Sequence, residues 1–141
     1  MSFALDLQKF AEKAGQRADE AVGNIVARVA SEIDKRSPVG DASYWISPPP
    51  KGYIGGHFRA NWQLGVGAIP ASEVAGITPS LPGIIAEIPE QASGKVYWLA
   101  NNAPYANRLE HGWSRQAPQG MVGLTAVMFQ QIVREAVEAL P

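Results

Sequence analysis

The chain predicts an α+β fold: a long N-terminal helix and a C-terminal helix packed on an antiparallel β-sheet, with a long proline- and glycine-rich loop between. Three observations carry that expectation. A helical apolar period runs from Ala4 to Lys35, a two-residue alternation runs from Phe58 to Ile69, and a second helical period runs from Leu124 to Leu140.

In the first segment Phe10, Ala14, Ala18, Ala21, Val22, Ile25, Val29 and Ile33 recur at three- and four-residue steps. Charged residues lie mostly opposite, so one long helix with a core-facing stripe is expected. Gly15 and Gly23 each weaken it by about 1 kcal/mol relative to alanine. Pro38 ends it, because the residue before a proline resists the helical region.

Residues 38–57, "PVGDASYWISPPPKGYIGGH", hold three consecutive prolines among glycines and aromatics. No regular period fits, so an extended loop is expected, one that orders on assembly. Tyr44, Trp45, Lys51 and Tyr53 are its candidates for contacting a partner or lining a channel.

"FRANWQLGVGAI" then reads as a strand, with Phe58, Ala60, Trp62, Leu64 and Val66 on one face. Its glycines point to a bend, a bulge or the close approach of another backbone. "IIAEI" (84–88) and "GKVYWLANN" (94–102) read as two further strands, the connections being too short for parallel crossovers. "APYANRLEHG" reads as a short helix, with Pro104 near its start and Gly112 past its end. In the last segment Leu124, Val127, Met128, Ile132, Val133, Ala136, Val137 and Leu140 share a broad apolar face.

The 141 residues fit a single domain, 1–141. Twelve basic residues against thirteen acidic give a net charge of −1, so no polyanion-coating surface is indicated. Cysteine is absent, which removes disulfides, thiol catalysis and thiolate metal sites. The opening residues reach an acid and a lysine too early for the apolar core of a signal peptide. No stretch offers about 18 uncharged apolar residues, so a soluble chain without membrane contact is expected.

The catalytic possibilities are thin. Glu110 and His111 are adjacent, and neighbours on a helix point about 100° apart, so the acid is poorly placed to orient the imidazole. Nothing around Ser114 forms a nucleophile elbow. His111 fits a last-turn residue that caps carbonyls. His57 and His111 are the only histidines and have no metal-binding spacing. "GYIGGHF" lacks the lysine and hydroxyl residue of a phosphate loop. Arg59, Arg108 and Arg115 join no dense basic stripe. The expectations are accordingly no enzyme, no cofactor and no metal. Trp62 and Trp98 are expected on core faces, Arg59 in a salt bridge, and Trp113 as a local lid or an interface anchor.

Four stretches resemble a known family: "SPVGD" (37–41), "GHFRANWQLGVG" (56–67), "YANRLEHGWSRQAPQGMV" (105–122) and "FQQIVREAV" (129–137). They look like the tail-completion and head–tail joining (neck) proteins of long-tailed bacteriophages, a group that includes the minor neck proteins of lambda-like and HK97-like phages. The matching positions are Ser37, Pro38 and Val39 at the end of the first helix, Arg59 and Trp62 on the strand, and Tyr105, Leu109, Glu110, Gly112, Gln116, Ala117 and Pro118 in the loop. Such proteins commonly run from the serine-proline-valine segment through an aspartate-threonine-glycine turn to the strand; this chain has Gly40-Asp41 and a long proline-rich insertion instead.

The resemblance implies a structural virion protein, made in the host cytoplasm. It would form a homo-oligomeric ring, six copies being the family expectation, at the head-proximal end of the tail. Its partners would be head-completion (stopper or adaptor) proteins and the tail terminator or tube protein, with phage DNA passing through the lumen without sequence-specific binding. Rival readings are a tail terminator or other virion-assembly module, and a small hydrolase or nuclease. On the neck reading Tyr105 and Leu109 pack inward, Gly112 turns the chain, and "WSRQAP" leaves as an extended segment. The interface residues would be Arg108, Glu110, His111, Trp113, Ser114, Arg115, Gln116 and Pro118.

Overall fold

A computed structural model describes residues 3–40, 51 and 54–141. Tyr44, Trp45 and Tyr53, with most of the expected loop, lie outside the described residues; Lys51 lies within them and is exposed. The element order is α1 (Phe3–Arg36), α2 (His57–Ala60), β1 (Trp62–Val66), α3 (Leu81–Glu87), β2 (Tyr97–Asn101), α4 (Ala106–Glu110), α5 (Val122–Val127) and α6 (Phe129–Glu138). The fold is α+β and mostly helical.

The end of α1 falls two residues ahead of Pro38, as expected. There the buried Ser37 hydroxyl donates to the Ile33 carbonyl at 2.7 Å and accepts the Trp62 indole N–H at 2.7 Å. This relay fastens the helix end to the sheet. Val26, Ala30 and Ile33, at i, i+4 and i+7, are buried. Upstream the helix leaves the body: every residue from Ala4 to Ala18 is exposed. Phe10, Ala14 and Ala18 therefore lie outside the core, contrary to expectation. The edge of the packed body is marked by the Asp19 carboxylate, which accepts the Ser93 N–H at 2.9 Å and its hydroxyl at 2.6 Å.

Strands β1 and β2 pair antiparallel, Leu64 opposite Leu99 and Trp62 opposite Asn101. The expected strand at 84–88 is helical instead. Pro82 in the first turn of α3 and Pro89 beyond its end are the helix boundary signals that outweigh the β-branched pair Ile84-Ile85. Leu81, Ile84 and Ile88, three and four apart, pack on the core while Ile85 is exposed, the one-sided burial of a helix.

The alternation from Phe58 also begins late. His57–Ala60 form a helical turn entered through Gly56 at φ 114°, and the strand proper starts at Trp62. Phe58, Ala60, Trp62 and Leu64 are buried even so, Phe58 and Trp62 meeting edge to face at 5.8 Å. Trp98 is on the outward face of β2, opposite Gly65, and 42% exposed, so it is not a core residue. Gly65 shows the close approach expected of it: a Cβ there would lie 2.0 Å from the Ala68 carbonyl oxygen.

The C-terminal helical segment is two helices joined at Met128. The Thr125 hydroxyl donates to the Met121 carbonyl at 2.8 Å, a back-bond that bends helices. Val127 is 84% exposed and Val137 52%, contrary to expectation, because the buried face runs through Thr125, Ile132 and Ala136 and leaves both valines off it. Ile132 and Ala136 are buried as expected, α6 packs along α1, and Arg28 pairs with Glu135 at 2.7 Å. The expected Arg59 salt bridge is loose, Nε lying 4.0 Å from Asp34 Oδ1, with neither atom in a hydrogen bond. Burial pushes the Asp34 carboxyl up, opposed by Arg59.

Candidate functional site

The stretch from Tyr105 to Gly123 folds back on itself. The short helix α4 ends at Glu110, and Gly112 reverses the chain at φ 87°, where a Cβ would lie 2.5 Å from the Pro118 carbonyl oxygen. Gly120, at φ 79°, makes the second reversal and passes so near the Glu110 carbonyl that a Cβ would sit 2.3 Å from its oxygen. Between them the chain is a series of turns, Ala117 N–H bonding Ser114 C=O at 3.1 Å and Gly120 N–H bonding Ala117 C=O at 3.1 Å. The segment "WSRQAP" is therefore not extended. Turns close it into a compact loop whose Ala117 and Met121 are buried in the core cluster.

Glu110 braces this loop. Its Oε1 accepts the N–H groups of Met121 at 3.0 Å and Val122 at 2.9 Å, and its Oε2 accepts that of Gly123 at 3.0 Å. These are unpaired donors at the start of α5, so the carboxylate acts as a cap supplied from a distant helix. Burial pushes the Glu110 pKa up, but the three backbone donors and His111 outweigh it and hold the carboxyl below its usual value. The free surface acid expected here is thus committed to the fold.

His111 sits where a capping residue is expected, its Nδ1 2.7 Å from the Asn107 carbonyl oxygen. Trp113 is 72% exposed, and the Arg108 guanidinium lies 5.1 Å from its ring centroid in a cation–π contact. Arg115, Gln116 and Pro118 are exposed and Ser114 is half-buried. Tyr105 and Leu109 both lean on the core: Leu109 packs against its cluster, and the Tyr105 ring lies 6.2 Å from that of Phe58.

Far along the chain, Gln116 grips Val39, accepting its N–H at 3.0 Å and donating to its C=O at 2.8 Å. With the Ser37–Trp62 bond, this brings 37–39, β1 and the 105–123 region into one unit. No protein-family profile, curated protein or solved structure matches this chain.

A second polar cluster surrounds His57, with Nε2 2.7 Å from Glu73 Oε1 and Nδ1 2.8 Å from the Gly76 carbonyl oxygen. Asn61, fully buried, completes it: Oδ1 accepts Val74 N–H at 2.7 Å, and Nδ2 donates to Val74 C=O at 2.9 Å. Asn61 thus faces inward, against the alternation that sets it outside, because a strand-like pairing with Val74 satisfies its amide. Among the described residues no group of three or more His, Cys, Asp or Glu could hold a metal ion. No helix there is long and apolar enough to cross a membrane.

Sequence reasoning missed the roles of Val39, Asn61, Glu73 and Met121. All are partners over long separations, and only Asn61, a polar residue between Phe58 and Trp62, carried a local hint.

Proposed function

We propose that the chain is a structural virion protein, a subunit of a ring at the head-proximal end of a phage tail. Six copies would surround the axis, joining head-completion proteins on one side to the tail terminator or tube on the other. DNA would pass through the lumen with no base-specific contact, and the chain would catalyse no reaction.

The resemblance of four stretches to neck proteins motivates this reading, and one observation carries it. Three of those stretches, far apart in sequence, meet through Ser37–Trp62 and Val39–Gln116, and Glu110–Met121 braces the third from within. A loop braced in this way presents Trp113 and Arg115 to solvent on a preorganised frame, which lowers the entropic cost of docking. The same bracing weighs against a Ser114–His111–Glu110 catalytic arrangement, since the Glu110 carboxylate points at the α5 N-terminus and His111 Nδ1 at a backbone carbonyl.

Cryo-electron microscopy of intact particles tests the reading. The expected result is a closed ring of this chain on the tail axis next to the head. A single off-axis copy, or particles that lack the chain, would overturn it.

A further inference from the structure

The exposed part of α1, Ala4 to Ala18, extends about 22 Å beyond the packed body. An isolated helix of about this length is marginal in water, and Gly15 weakens it further. Its side chains are nevertheless ordered in kind. Leu7, Phe10 and Ala14 form an apolar seam at alternating three- and four-residue steps, with Phe10 72% exposed. Along one flank run Ala4, Ala11 and Ala18, and along the other Asp6, Lys13 and Glu20. The seam lies roughly 130° around the helix from the core face of Val26, Ala30 and Ile33, so it is not the core stripe carried outward.

We propose that two copies of this chain pair antiparallel through the seam. In that arrangement Leu7 of each copy meets Phe10 of the other, giving two equivalent apolar layers. Ala4 of one copy faces Ala11 of the other, and side chains this small let the helices approach closely. Asp6 of each copy lies beside Lys13 of the other, giving two identical opposite-charge contacts. Charge selects this register. Sliding by one heptad sets Lys13 against Lys13 and Asp6 against Glu20, both repulsive, and a parallel pair leaves Asp6 and Lys13 facing alanines with no charge partner. The contact is isologous and closes on two copies. It is smaller than a standard interface of about 800 Å² per partner, so pairing depends on concentration. It concerns the free chain and does not require the neck reading.

Sedimentation velocity of the full chain from about 1 to 200 µM at low salt tests the pairing. The expected result is a shift from monomer to dimer across that range. Phe10→Glu should remain monomeric throughout, and Lys13→Glu, which sets an acid beside Asp6, should weaken pairing about tenfold or more. Adding Asp6→Lys to Lys13→Glu should restore it to within about threefold, with circular dichroism showing each variant folded. A wild-type monomer at every concentration overturns the proposal, as does a dimer that survives Phe10→Glu or a double variant no better than the single one. A monomeric chain whose Phe10→Glu variant fails to join heads to tails would assign the seam to a different protein, which also overturns it.

Discussion

Gln116 clasps Val39 across 77 residues, its carboxamide taking both backbone polar groups as a neighbouring strand would. The bond pins the outer loop to the chain just after α1. Both partners reach solvent, so Gln116→Ala should cost only about 1 kcal/mol in denaturant unfolding. Amide exchange at Val39 should accelerate about tenfold, a local effect that a global loss of that size in a stable domain would not mimic. Unchanged exchange at Val39 would show that the clasp does not protect that amide.

Glu110 makes the cap of α5 sensitive to acid. Its folded-state pKa lies below the unfolded value near 4.5, so its contribution is complete above that value and is lost as pH falls through the lower folded one. Ser93 lowers Asp19 and Arg28 lowers Glu135 in the same sense, so several carboxylates share the acid limb. Glu110→Gln should destabilise the protein by about 1–2 kcal/mol at neutral pH, because its NH2 group faces a backbone donor. The gap to wild type should narrow below about pH 4. A constant gap down to about pH 2 would rule out the carboxylate as its source.

How much of this is legible in the sequence depends on the range of the interaction. The bounds of α1, the turn at Gly112 and the carbonyl cap at His111 follow from local rules of proline, glycine and helix-end chemistry, and the structure has all three. Alternation locates the buried residues Phe58 and Trp62 even though the backbone at Phe58 is helical, since burial and strand geometry are separate properties. Ile84–Ile88 reads as a strand only when its three β-branched residues count for more than Pro82 and Pro89, and in the fold the prolines win. The Glu110 cap, the Gln116 clasp and the Asn61–Val74 pairing span 11 to 77 residues, and no local period encodes them. A periodic seam such as Leu7–Phe10–Ala14 is legible as apolar, but whether the parent fold covers it is decided only by where the other elements end.

The two glycine turns at Gly67 and Gly120 differ in a way that substitution can separate. Gly67, at φ 81°, stands in open space, with nothing within 4 Å of where a Cβ would lie. Gly67→Ala should therefore cost only the left-handed strain, about 1–2 kcal/mol. Gly120→Ala adds a collision with the Glu110 carbonyl, a backbone atom that cannot rotate away, and should cost at least about 3 kcal/mol. Equal melting temperatures for the two variants would contradict the tight packing of Gly120 on α4.

His57 carries a pH dependence of opposite sign. Both ring nitrogens face acceptors, Glu73 and the Gly76 carbonyl, and only the imidazolium donates to both. The Glu73 bond chiefly, then the Gly76 bond, raise the His57 pKa above 6.5 against a smaller burial effect; the Asn61 amide is the other polar group at the ring. The stabilisation is complete below the unfolded value of 6.5 and is lost as pH rises through the higher folded one. An NMR titration should give a midpoint above 6.5 that Glu73→Gln brings down, with amide protection around Val74 and Gly76, relative to intrinsic exchange, lower on the alkaline side. A midpoint at or below 6.5 in the wild type would refute the clamp.

Trp113 and Arg115 provide the sharpest division between interface and chemistry. Neither is part of the core: Trp113 is exposed beneath the Arg108 guanidinium, and Arg115 is exposed in the turn that follows. Replacing both with alanine should leave the melting temperature nearly unchanged, since exposed substitutions usually stay within about 0.5 kcal/mol. On the proposed neck reading, joining of tails to filled heads should nevertheless fall sharply, because truncation of a desolvated aromatic or arginine anchor costs about 2 kcal/mol or more in binding. His111→Gln should lose little, as a glutamine amide can still donate to the Asn107 carbonyl that the imidazole now meets. The measurement is the yield of joined, infectious particles for each variant beside its circular-dichroism melt. A folded double variant that joins normally, together with a His111→Gln variant that abolishes joining, would remove the interface assignment and put a catalytic His111 in its place.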